Sequence, residues 1–262
     1  MHELSLFAQV PLARHAQVLN LLAGLSAMQP LEVYARHAVF QPIKPVVDTN
    51  QISKKKQTGP YQPQQLSLIQ LVEGLSRDDF GKHDKTLQAH DGDAGMADGY
   101  AATAVASAPE QSNWSTRIQE IPEPEIKNLI LRRVTEMPLK SADVSAYLDD
   151  DKYRFISEYY TEGHRLIHRD VILHLHRVLV ARPLPDADTM RRTLPSLDDL
   201  VLMDASGAFL LEARVRIEDR TKPALVAVAT ERLLSVRKEL KGAVELRMPE
   251  RLSMDTRVKE GR

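Results

Sequence analysis

Apolar and polar residues alternate from the start of the chain: Leu4, Leu6, Ala8 and Val10 share one face of Glu3–Val10, while Glu3, Ser5 and Gln9 share the other. Period two with a single apolar side predicts a half-buried strand. Pro11 then opens a helix over about Leu12–Met28, where Val18, Leu21, Leu22 and Leu25 recur at helical spacing. Gln29-Pro30 stops it, and the β-branched and aromatic content of Leu31–Phe40 predicts a second strand. Gln41–Pro63 is rich in Pro, Lys and Gln and reads as a loop, followed by a short strand at Gln64–Val72. Residues 73–113 lose all periodicity and are dominated by Asp, Gly, Ala and Ser, which predicts a disordered, solvated insertion within one domain spanning 1–262.

Pattern returns at Trp114, with strands expected at Ser115–Ile121 and Asn128–Met137. Ser141-Ala142-Asp143 offers capping chemistry for a short helix ending near Asp149. Tyr153–His168 and Val171–Arg182 form the clearest hairpin, turning at Arg169-Asp170. Leu200–Met203 and Phe209–Glu218 predict a second hairpin around Asp204-Ala205-Ser206-Gly207. Pro223 begins a helix to about Leu240 with Leu225, Val228, Leu233, Val236 and Leu240 on one stripe, and Gly242 ends it. A last strand is expected at Val244–Met248. Many antiparallel strands with a few flanking helices predict an α+β fold, mainly an antiparallel closed β-barrel.

Composition narrows the function more than the fold. A length of 262 residues suits a single large β domain, and 43% hydrophobic content with only 5% aromatics predicts a core of Leu, Val, Ile and Ala. Thirty-five basic residues against 36 acidic ones leave a net charge of -1, which argues against specific nucleic-acid binding. Without cysteine there is no disulfide framework, thiolate metal site or cysteine nucleophile. No apolar run reaches the roughly 18 residues of a membrane span, and Met1-His2-Glu3-Leu4 lacks a secretory pattern.

Several segments in order resemble the family of Mediator head-module subunit eighteen, in its filamentous-fungal versions. They are Met1-His2-Glu3-Leu4, Gly24-Leu25-Ser26-Ala27-Met28, Tyr34 to Phe40, Ser157 to His168, Leu173 to Leu179, and Val244 to Leu252. The resemblance covers about two thirds of the chain by patterns of strands, not by catalytic signatures. It implies a closed barrel paired with the related barrel of subunit twenty, capture of a C-terminal helix of subunit eight, residence in the nucleus, and an indirect influence on RNA polymerase II. It also implies no catalysis and no cofactor.

The barrel of that family is similar to that of the triphosphate tunnel metalloenzymes, so Glu123-Pro124-Glu125-Ile126-Lys127, an E-x-E-x-K string, raises a metal-dependent phosphohydrolase as the alternative. That chemistry needs the three side chains on one strand face, and Pro122 and Pro124 interrupt such a strand. A metal tunnel also needs charges from several strands, and Glu212, Arg214, Arg216 and Glu218 form the best single face, so a full charged ring is not expected. His164, His168, His174 and His176 crowd the central hairpin. Parity places the first two with Leu173 and Leu175 and the last two on the opposite face, which argues against one metal site. Tyr159 and Tyr160 face opposite sides, one internal and the other available to a partner. These two tyrosines and four histidines are the candidate interface residues. Lys54-Lys55-Lys56 reads as a solvated loop, and neither a Gly-x-Ser-x-Gly elbow nor a phosphate loop occurs, since Gly92, Gly95 and Gly99 lie in the insertion. A third possibility is a barrel that binds a small ligand in its lumen.

Overall fold

Nine strands pair antiparallel in a computed structural model of the chain, which describes residues 1–43, 66–82, 113–124, 126, 128–182 and 189–258. They are β1 (His2–Val10), β2 (Leu31–Pro42), β3 (Ile69–Leu75), β4 (Trp114–Gln119), β5 (Ile130–Pro138), β6 (Tyr153–His168), β7 (Val171–Ala181), β8 (Leu200–Leu202) and β9 (Phe209–Ile217). Their order is β6-β2-β3-β4-β5-β1-β9-β7-β8, and a further pairing of β6 with β7 closes the ring. Since β8 and β9 lie on the same edge of β7, the closed barrel has eight positions. A ring of this size leaves an interior that side chains can fill.

The long hairpin is as expected, with His168 opposite Val171 across Arg169-Asp170. The second hairpin is not. β8 pairs with Leu179–Ala181 and β9 with Ile172–His176, so Asp204–Gly207 interrupts one strand line instead of joining two neighbours. The turn chemistry is real, with Gly207 at φ 68 and its N–H on the Asp204 carbonyl at 3.0 Å, but a turn sequence does not say which edge its flanks will choose. The expected last strand reduces to one bridge, Phe7 with Arg247, beyond the point where β5 stops covering β1. Residues 73–75, assigned to the insertion from the sequence, instead complete β3, and Arg77–Asp79 form a 3-10 turn. Residues 83–112 and Lys54–Lys56 lie outside the described residues.

Apolar packing lies on the outside of the barrel. The helices α1 (His15–Ser26) and α3 (Pro223–Glu239) cover the outward residues of β1, β7 and β9, burying Val18 and Leu22 of α1 and Ala229, Leu233 and Val236 of α3 among Leu4, Leu6, Leu173 and Leu211. Leu225 and Val228, expected on that stripe, are exposed instead, because the buried face runs through Val226, Ala229, Leu233, Val236 and Leu240 and these two positions lie to one side of it. The hairpin tip is pinned to α3 by His168 with Glu239 at 3.2 Å, Arg169 with Glu239 at 3.4 Å, and the Asp170–Arg232 ion pair. The short helix α2 (Ser141–Val144) begins where the Asp143 carboxylate accepts the Lys140 N–H at 3.3 Å.

A second cover, residues 189–196, is fastened over β2 and β6 by a buried ion cluster. Arg36 donates to Glu158 at 2.9 Å, faces Glu73 at 3.5 Å and Trp114 at 5.6 Å, and donates to the Arg191 carbonyl. The Arg191 N–H returns to Glu158 at 3.0 Å. Tyr160 donates its hydroxyl to the same carboxylate. Burial, then the Glu158 charge, pushes the Tyr160 hydroxyl well above its ordinary pKa.

Gly163 is the tightest point of the closing pair. A Cβ there would sit 2.2 Å from the Leu175 carbonyl oxygen and 2.6 Å from the His176 Cα, both backbone atoms that have no room to yield. Gly163→Ala is therefore expected to lower unfolding stability by about 3 kcal/mol through overpacking, read from the chemical-denaturation midpoint. A midpoint equal to that of the unmutated protein would contradict the close approach.

Candidate functional site

Closure turns the polar faces of β1 and β9 inward. On β1, Leu4 and Leu6 point out toward the helices, whereas Glu3 and Ser5 point in, each with 0% of its surface exposed. Across the ladders the same face carries Arg132 on β5 and Arg214 and Arg216 on β9, and Arg117 reaches in from β4. Arg117 donates to Glu3 at 3.2 Å, Arg132 approaches the same carboxylate oxygen at 3.6 Å, and Arg216 donates to its other oxygen at 3.4 Å. Arg216 also pairs with Glu136 at 2.9 Å, and Arg214 with Glu212 at 3.1 Å. Burial pushes the Glu3 carboxyl up, but the surrounding guanidiniums of Arg117, Arg214, Arg132 and Arg216 outweigh it and hold the group below its usual range. Arg132, 5% exposed, is itself lowered chiefly by burial.

Histidines fill the opposite wall. His37 of β2 stacks on Tyr159 of β6 at 4.6 Å and lies 3.1 Å from the Thr161 hydroxyl, and His174 stacks on His176 at 4.2 Å. Burial, followed by the charges of Arg117 and His176, lowers His37 to about 3. Burial, followed by His176 and Arg214, lowers His174 to about 2. His176 is lowered for the same first reason, with Glu212 opposing. Near neutral pH the first two are uncharged.

These positions sort the sequence candidates. Parity holds: His164 faces Leu175 and His168 faces Val171, while His174 and His176 lie inside the barrel beside Glu212 and opposite Gly163. His164 and His168 serve the helices, the first 5.7 Å from the His15 ring on α1's first turn and the second against α3. Tyr159 is internal, but Tyr160 is not free for a partner; it is 1% exposed beneath the 189–196 cover. Among the described residues no group of three or more His, Asp or Glu is placed to hold a metal ion. Two parts of the E-x-E-x-K string, Glu125 and Lys127, lie outside the described residues, and Glu123 is tied to Arg220 at 3.1 Å outside any strand.

The charged lining is wider than the β9 face alone but does not encircle the lumen: Glu212, Arg214 and Arg216 face inward, Glu3, Arg117, Arg132 and Glu136 extend the charge over the four adjacent strands β4, β5, β1 and β9, and histidines line the opposite wall. Pattern reading missed the last four because a polar strand face is ordinarily a solvent face. The apolar face of β1 needing helices over it is the signal that would have turned Glu3 inward.

The break between β8 and β9 opens a cleft of about 320 Å³ in the barrel wall. Leu202, Met203, Ala208, Phe209 and Leu210 form its apolar part, and lumen-facing His176 and Val178 form its floor. Met203 is 59% exposed, and Leu12, packed 3.3 Å from where a Gly207 Cβ would be, is also exposed.

The profile of the Med18 protein family matches residues 2–257, nearly the whole chain. The chain belongs to the Med18 family. It is similar to the Mediator of RNA polymerase II transcription subunit 18 of Aspergillus fumigatus, 32% identical over 99% of this chain and 100% of that protein. It is also similar to the subunit 18 of Neosartorya fischeri, 31% identical over 99% of this chain and 100% of that one. A chain in the structure of the Schizosaccharomyces pombe Mediator head module matches with TM-score 0.66 and 19% identity, over 95% of this chain and 99% of its own length. At that identity the match speaks for the fold, so this Med18-family chain shares the closed barrel.

The neutral histidines of this Med18-family lumen set an acid limit. Unfolding restores His37 and His174 to about 6.5, so below that pH the unfolded chain takes up protons that the folded one refuses. Their contribution is complete above about pH 6.5 and is lost as pH falls toward 3. The urea midpoint is expected to drop between about pH 7 and pH 5, above the range where Glu3 titrates, and to drop less in His37→Gln/His174→Gln. A midpoint flat across that window would count against burial of neutral imidazoles.

Proposed function

We propose that the chain is a non-catalytic subunit of the Mediator head, resident in the nucleus, that acts on RNA polymerase II transcription through protein contacts. The observation that carries this reading is the match of the family over residues 2–257. The partners implied by the family resemblance are the related barrel of subunit twenty and the C-terminal helix of subunit eight. No membrane, cofactor or specific nucleic acid enters the reading, and polymerase is influenced indirectly.

The geometry supports a contact surface around the cleft. Exposed Met203 and Leu210 line it, and exposed Leu12 lies close by against Gly207. Grouped apolar side chains at the surface are where partner contacts concentrate. Of the six sequence candidates, His164 and His168 stay half-buried at the rim of the helices, while Tyr160 and His176 are buried and less suited to contact. The phosphohydrolase alternative gains nothing from the charged lumen. Glu3, Glu136 and Glu212 are each engaged by arginine, which leaves them poor metal ligands.

Tagged full-length protein is expected to bring down other Mediator subunits from nuclear extract, identified by mass spectrometry. Met203→Asp with Leu210→Asp should reduce that recovery about tenfold without shifting the melting temperature, since both side chains are at the surface. Recovery of no Mediator subunit by the unmutated protein would overturn the proposal.

A further inference from the structure

The charges inside the barrel do not balance. Arg216 and Glu136, both half-exposed, neutralise each other at 2.9 Å, and Arg165 lies exposed at the rim. Deeper in, the described residues place three guanidiniums, Arg117, Arg132 and Arg214, against two carboxylates, Glu3 and Glu212. His37 and His174 add no charge near neutral pH. One positive charge is left over among guanidiniums that are 6–17% exposed, and a charge so far withdrawn from water favours a compensating anion.

Hydrogen bonding points to the same place. The Nη atoms of these arginines reach Glu3 and Glu212, but the Nε of Arg117, Arg132 and Arg214 and the Oγ of Ser5 are buried with no partner among the described residues. An arginine Nε–H can only donate, so these three atoms require acceptors. Arg117 and Arg132 share one carboxylate oxygen of Glu3, and Arg214 lies directly across the ladder from Ser5, which brings the four groups to one region of the lumen. His37 and His176 each present a further buried, unpartnered Nδ1, able to donate or accept according to tautomer. His176 also lines the cleft at the strand break.

We propose that the lumen binds a small tetrahedral oxyanion of the phosphate or sulfate type, held by Arg117, Arg132, Arg214 and Ser5. A cation would add to the surplus charge, and an apolar ligand would leave every donor unsatisfied. A tetrahedral oxyanion offers acceptors in several directions at once and carries the compensating charge. The site is independent of which proteins the chain assembles with.

The probe is inorganic phosphate, added to the full-length protein and compared with chloride at equal ionic strength and pH. Millimolar phosphate should raise the melting temperature by about 3 °C over chloride and broaden the phosphorus NMR line. Arg132→Gln, which leaves Glu3 its contacts with Arg117 and Arg216, should abolish both effects. Ser5→Ala removes one donor without changing charge and should roughly halve the shift, which keeps the test decisive if Arg132→Gln fails to fold. Arg165→Gln, at the rim, should respond like the unmutated protein. Equal melting in phosphate and chloride without line broadening means that water alone fills the lumen, and overturns the proposal. A phosphate effect that survives both Arg132→Gln and Ser5→Ala means binding elsewhere on the surface, and overturns it as well.

Discussion

Glu3 sits inside a closed sheet with no exposed surface, and an ionised carboxylate there is tolerable only because guanidiniums from β4, β5 and β9 surround it. That requirement reaches far into the fold. Arg117 meets Glu3 only if β4 and β5 are correctly registered beside β1, and Arg216 meets it only if β9 pairs on the other side. A slip of one residue in any of these ladders would send an arginine outward and bring an apolar side chain into the charged centre. The lumen thus specifies register in a way that a greasy interior would not.

A polar interior pushes the apolar work outward. The outward faces of β1, β7, β9 and the His164–His168 end of β6 are covered by α1 and α3, and those of β2 and the start of β6 by residues 189–196 through the Arg36–Glu158 cluster. The barrel therefore has two buried layers separated by the sheet, an inner one centred on Glu3 and its arginines and an outer one that is mainly apolar but includes the Arg36–Glu158 cluster. The wall is interrupted where Asp204–Gly207 bulges out of the β8–β9 line, and there the apolar outer layer and the charged lumen come within one cleft. The proposed contact surface lies at this break, away from the packed helices.

Much of this was legible residue by residue. The β6–β7 hairpin followed from two long β-rich runs around Arg169-Asp170, and its parity correctly separated His164 and His168 from His174 and His176. The helices followed from Pro11, Pro223 and Gly242. The β8–β9 pairing failed because turn residues report a local change of direction and not the neighbour that each flank will choose. Alternation puts Tyr159 and Tyr160 on opposite sides of the sheet but does not reveal that Tyr160 is buried, because the 189–196 segment over it lies some thirty residues away in the chain.

The sequence by itself determined which residues share a face, where the chain turns, and the absence of cysteine chemistry, because those depend on local backbone period and on composition. Only the tertiary structure decided which face was inside. Leu4 and Glu3 alternate identically whether the sheet is open with Glu3 in water or closed with Glu3 at its centre. The choice is made by long-range closure of β6 on β7 and by helices that bury the apolar side, turning an ordinary polar strand face into a lumen of paired and surplus charge.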